Sequence, residues 1–108
     1  MLETLVGLKV TDEKGYRNYR DKMKPLLIKM DGGFRFDFFV SGECDLDISD
    51  RFKNEVRTGL INRLFIIFFP DKQIRDEFFG SEGYKSLKQQ FFEPSVESTT
   101  IIAEWTSS

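Results

Sequence analysis

The run Leu64-Phe65-Ile66-Ile67-Phe68-Phe69, set between Asn62-Arg63 and Pro70, constrains this chain more than any other stretch. Its six consecutive apolar residues, all aromatic or branched, are too few to cross a membrane and are stopped by a proline. Such a run fits a strand in the middle of a sheet, with little water on either face. A middle strand needs a neighbour on each side and cover on its faces, so the rest of the chain is read for those partners.

Glu3 to Val10 sets Thr4, Val6, Leu8 and Val10 against Glu3, Leu5, Gly7 and Lys9, the period of two of a first strand with one firmly apolar face. Thr11 or Asp12 then caps a helix whose stripe runs through Tyr16, Tyr19, Met23, Leu26, Leu27 and Met30. Pro25 predicts a kink rather than an end, because the stripe continues in phase beyond it. Gly32-Gly33 offers the left-handed stop. A second strand follows over Phe34 to Val40, with Phe34, Phe36, Phe38 and Val40 on one side and Arg35, Asp37 and Phe39 on the other.

Ser41 to Ile61 is a long connection. Within it Ser49 is expected to cap a short helix bearing Phe52 and Val56. Asp45, Asp47 and Asp50 fail as a calcium loop: Asp50 stands where the turn needs glycine, and Val56 where a bidentate Glu is needed. A flexible acidic loop is expected instead. After the central strand, Pro70-Asp71 opens a helix with Ile74, Phe78 and Phe79 inward, closed by Gly80. Ser81 caps a second helix with Tyr84, Leu87, Phe91 and Phe92 inward, ended by Pro94. The β-branched run from Thr99 to Trp105 reads as the last strand, and the tail Thr106-Ser107-Ser108 should fray.

The resulting order is strand, helix, strand, strand, broken helix, strand. That is the βαββαβ pattern of ferredoxin-like α+β folds, a four-stranded antiparallel sheet with its helices on one face. Right-handed crossovers put the first and third strands in the centre. The opposite face carries Phe and Ile beside charge, and a bare face of that kind marks an interface. A second copy of the chain is the economical cover, giving a twofold homodimer.

At 108 residues the chain is a single domain, 1–108, and its twelve phenylalanines make core contacts aromatic-heavy. A net charge of −2 argues against a nucleic-acid partner, and no membrane association is expected. Lys14, Arg17, Arg20, Lys22, Lys24 and Lys29 are interspersed with Asp12, Glu13 and Asp21 and read as a solvated helix face. The absence of histidine removes the usual general base and the usual haem and zinc ligand. Cys44, the single cysteine, allows no disulfide within a chain and is read as an ordinary thiol. No glycine-rich phosphate loop follows a strand, and neither metal nor cofactor is expected. With no secretory leader pattern in the first residues, cytoplasmic residence is the expectation.

Several motifs recur together: Val10-Thr11-Asp12, Tyr16 and Tyr19, Pro25 before Gly32-Gly33-Phe34-Arg35, and Asn62-Arg63 leading to Phe69-Pro70-Asp71. Phe78-Phe79, Tyr84, Phe92-Glu93-Pro94-Ser95-Val96 and Thr99-Thr100-Ile101 continue the series. With them the chain resembles, over nearly its whole length, the family catalogued as domain of unknown function 1330. The resemblance implies a dimeric α+β barrel and brings no reaction with it.

Strand alternation nominates Arg35 and Asp37 as ligand-binding residues, with Arg63 and Glu104 as weaker additions. The arginines suit bidentate contact with a carboxylate or phosphate, and a desolvated Asp37 suits proton abstraction. The competing account is that these charges satisfy one another across strands or across a dimer interface. Packing is the expected role of Tyr16, Tyr19 and Tyr84, and cover of the sheet edge or dimer seam that of Trp105. Two function classes follow. One is a small-molecule-binding barrel acting on a small organic acid or aromatic without cofactor, as an isomerase or oxygenase, by analogy of fold. The other is a ligand-binding or interaction module without turnover. A partly polar cavity at Arg35, Asp37 and Arg63 favours the first, and consumption of those side chains in mutual salt bridges the second.

Overall fold

The computed structural model describes residues 1–40 and 61–107. Strand β1 (Leu2–Val10) leads into helix α1 (Glu13–Lys29) and strand β2 (Gly33–Phe39). Strand β3 (Arg63–Phe69) is followed by helices α2 (Lys72–Gly80) and α3 (Glu82–Leu87), a π-helical turn at Lys88–Phe92, and strand β4 (Val96–Thr106). The sheet order is β2-β3-β1-β4 with every pairing antiparallel. The apolar run from Leu64 to Phe69 is therefore interior, as its composition requires, and pairs with β1 from Leu2↔Phe69 to Leu8↔Arg63. Fold class and strand order agree with the βαββαβ reading. Among the described residues no helix is long and apolar enough to cross a membrane.

Local chemistry accounts for the boundaries. Asp12 caps α1 by accepting from the Gly15 amide at 3.1 Å, and Asp71 does the same for Ile74 at 2.8 Å at the start of α2. Ser81 closes one helix and opens the next, donating to the Phe78 carbonyl and accepting from the Tyr84 amide. The helical stripe continues through Pro25 without interruption of α1. The left-handed residue at its end is Asp31 (φ 56°), not a glycine. Gly32 donates to the Leu27 carbonyl and Asp31 to that of Ile28, the paired bonds of a Schellman motif. Gly32 and Gly33 serve close approach instead: a Cβ on Gly32 would lie 2.6 Å from the Phe68 carbonyl oxygen, and one on Gly33 2.8 Å from the Phe68 ring.

One face of the sheet carries Val6, Leu8, Val10, Phe65, Ile67 and Phe69 into a core with Tyr16, Tyr19, Met23 and Leu27 of α1 and Phe78 of α2. Burial of these side chains, each contributing about 1.5–3 kcal/mol on transfer from water, holds the helices to the sheet. On the opposite face Val40, Ile61 and Leu64 form a small second cluster with Ile102. Ile61 approaches so closely that a Cβ on Gly7 would meet it at 2.9 Å.

Two further expectations fail for definite reasons. The C-terminal residues through Ser107 do not fray, because Thr106 pairs with Leu2 and the backbones of Ser107 and Met1 bond reciprocally at 2.7 and 2.8 Å. In β2 the regular alternation breaks. Arg35 pairs with Ile66 and Phe38 with Leu64, so Phe36 and Asp37 together oppose Phe65 in a bulge. Phe36 takes the left-handed conformation (φ 53°) and lies 71 % exposed. The extra residue turns Asp37 to the helix side while Arg35 stays on the other. Cys44, Asp45, Asp47, Asp50 and the short helix capped by Ser49 lie outside the described residues.

Candidate functional site

The bulge divides the predicted triad. Asp37 and Arg63 meet beneath α1, with Arg63 Nε donating to Asp37 Oδ1 at 2.8 Å. Arg35 instead reaches Glu3 at 3.2 Å on the sheet face opposite the helices and covers the Phe68 ring at 4.5 Å. Glu104 lies elsewhere again, accepting from Arg75 Nη1 at 2.6 Å and from the Thr4 hydroxyl at 2.9 Å. Trp105 donates its indole N–H to Glu3 at 3.1 Å.

Asp37 has two further partners besides Arg63. Arg20 Nη1 lies 2.6 Å from Oδ2, and the Tyr16 hydroxyl donates to the same oxygen at 3.4 Å. Arg63 is divided between Asp37 and Glu13, the latter at 2.6 Å, and its guanidinium lies 4.9 Å from the centre of the Tyr16 ring. Both Asp37 and Arg63 are buried. Burial is the largest single effect on the Arg63 cation and works against it, but the hydrogen bond and charge of Asp37, together with Tyr16 and the Glu13 charge, outweigh it and raise the pKa. The solvated-face expectation does not hold for Glu13 and Arg20, which turn inward to this cluster. Their signal was the spacing of Glu13, Tyr16 and Arg20, which at i, i+3 and i+7 lie along one stripe of α1.

Between that cluster and α2 lies an aromatic cavity of about 170 Å³. Phe34, Phe65, Phe79 and Phe92 line it together with Tyr16, Tyr19 and Tyr84. The π-helical turn belongs to this wall, since the Phe92 ring packs 4.9 Å from that of Tyr19. Desolvation raises the pKa of Tyr16, with the Asp37 charge adding to it, and desolvation likewise raises those of Tyr19 and Tyr84. All three stay protonated at neutral pH and serve as polar edges of an apolar wall rather than as bases. Packing explains their burial, and the same packing leaves room for a ring. A second hollow, about 310 Å³, shares Val6, Ile67, Phe79 and Ile101 with the first and adds Thr4, Arg75, Asp76 and Glu104.

Compared by sequence, the chain matches no family model and no curated protein. Among solved structures it is similar to the protein At3g17210 of Arabidopsis thaliana, with a TM-score of 0.62 and 10% identity. The match covers 100% of this chain and 96% of that one, which establishes a common fold.

Proposed function

We propose that this protein is a homodimeric small-molecule-binding barrel whose ligand, a small aromatic molecule, occupies the cavity between α1, α2 and the sheet. The cavity carries this reading. An engineered apolar cavity of about 150 Å³ in another protein stays dry and takes up benzene, so a space of this size and lining accepts one aromatic ring. Binding without turnover is favoured over isomerase or oxygenase chemistry, because Asp37 is held by two arginines and Arg63 by two carboxylates. Neither is free to move a proton.

Phenol, toluene and indole, screened by thermal shift, are expected to raise the melting temperature saturably. Ile101→Trp, which enlarges an exposed residue lining both hollows, is expected to remove that response while the protein stays folded. Equal shifts in the variant and the wild type would place the ligands elsewhere and end this reading.

The homodimer rests on the open sheet face, where Leu5, Ile66 and Phe68 are only half-buried. Kinship with the family of domain of unknown function 1330 belongs to the same proposal and is supported by the motif spacings. Light scattering at micromolar concentration is expected to give twice the chain mass, and Ile66→Lys to give one. Cytoplasmic residence is consistent with a lone cysteine, a usage typical of reducing compartments.

A further inference from the structure

The second hollow is not a separate feature of the surface. It shares four lining residues with the aromatic cavity, and Arg75 is the one cation among the described residues lining either space. Arg75 stands on α2 and reaches across to β4, where Nη1 meets Glu104 Oε2 at 2.6 Å, while Nε meets Asp76 at 3.2 Å. Burial disfavours the Arg75 charge, yet the bonds to Glu104 and Asp76 outweigh it and raise the pKa. The cation is therefore permanent, and an apolar cavity opens beside it.

We infer that Arg75 is the anion-binding half of the same site, and that the ligand is a small aromatic carboxylate whose acid displaces Glu104 from Arg75 while its ring enters the cavity. This rests on the ligand-binding reading above and narrows it to a chemical class. Two observations and one physical argument support the exchange. Glu104 is 39 % exposed and can return to water when displaced, whereas Arg75 is only 18 % exposed. A guanidinium that trades one carboxylate for another keeps its charge-assisted bonds, so ring burial decides the equilibrium. Thr4, whose hydroxyl donates to Glu104, is buried and keeps its place to donate to the incoming acid. The contrast with Asp37 and Arg63 is one of access, since neither lines either space.

The test titrates the full chain with benzoate, phenylacetate and 3-phenylpropanoate, each beside its neutral amide, at low ionic strength and neutral pH. At least one acid is expected to bind about tenfold or more tightly than its amide, the preference a single charge-assisted bond supplies. Arg75→Gln is expected to abolish that preference without changing amide affinity, and Arg75→Lys to restore part of it. Glu104→Gln, which removes the competitor, is expected to tighten the acid by up to about fivefold and leave the amide unchanged. Amides that bind as tightly as their acids overturn the carboxylate assignment and leave the cavity reading standing. An acid preference that survives in Arg75→Gln overturns the role of Arg75. If acids, amides and the neutral aromatics of the thermal-shift screen all fail to bind, both readings fall together.

Discussion

Two groups of ionised side chains lie near the aromatic cavity without lining it, built from the same residue types and put to opposite ends. At one end Asp37 and Arg63 are buried, and Glu13, Arg20 and Tyr16 complete their bonding. At the other, Arg75, Glu104 and Asp76 lie at the rim of an open hollow, with Asp76 60 % exposed. Burial, rather than the presence of Arg and Asp, separates the structural pair from the exchangeable one. A buried charge deprived of its partner has nothing to replace it, whereas at the rim water or a ligand acid does.

Asp37→Ala is the largest expected break in that contrast. It leaves Arg63 and Arg20 without their shared carboxylate and is expected to lower the unfolding free energy by about 3 kcal/mol in urea titration. A loss no greater than that of a rim variant would erase the distinction. At the rim, Arg75→Gln and Glu104→Gln are each expected to change stability by less than about 1 kcal/mol, since exposed pairs are screened.

Acid sharpens the same comparison. The hydrogen bond from Arg75 holds the Glu104 carboxyl below its ordinary value of 4.5, against a smaller opposing effect of burial. With the folded pKa lowered, this stabilisation is complete above the unfolded value and is lost as the pH falls through the folded one. After allowance for exposure and screening the loss amounts to a few tenths of about 1 kcal/mol. Melting temperatures taken from about pH 6 to about pH 3 are expected to fall slightly less steeply in Glu104→Gln than in the wild type. An effect of similar small size concerns the bulge that places Asp37. Phe36→Gly relieves a left-handed aromatic residue and is expected to stabilise by about 0.5 kcal/mol once the greater chain entropy of glycine is set against the strain. Destabilisation there would show that the exposed ring makes a contribution of its own.

Most of the fold was legible because its signals are periodic. The apolar run in β3, the alternation of β1 and the stripe of α1 each name the face that must be buried, and Asp12, Asp71 and Ser81 mark helix starts by their capping chemistry. The site was legible only in part, and one residue explains much of the shortfall. Alternation across Arg35, Phe36 and Asp37 assigns Arg35 and Asp37 to one face, and no glycine at Phe36 announces the bulge that separates them. Arg63 with Asp37 survived as a pair, but Glu13 and Arg20 were hidden in a helix segment of mixed charge. Arg75 carries no local signal, because its partner Glu104 is 29 residues away, on another element. The C-terminal residues were misjudged because pairing between chain ends is a property of the sheet and leaves no local mark.

The most direct measurement is a methyl-resolved NMR titration with benzene, following Val6, Leu8, Ile67 and Ile101, which line the cavity, against Ile28 on the outer surface. Saturable shifts confined to the cavity methyls, with Ile28 unmoved, are the predicted result. Cavity methyls that stay unperturbed up to the solubility limit of benzene, or that shift no more than Ile28, would contradict the account.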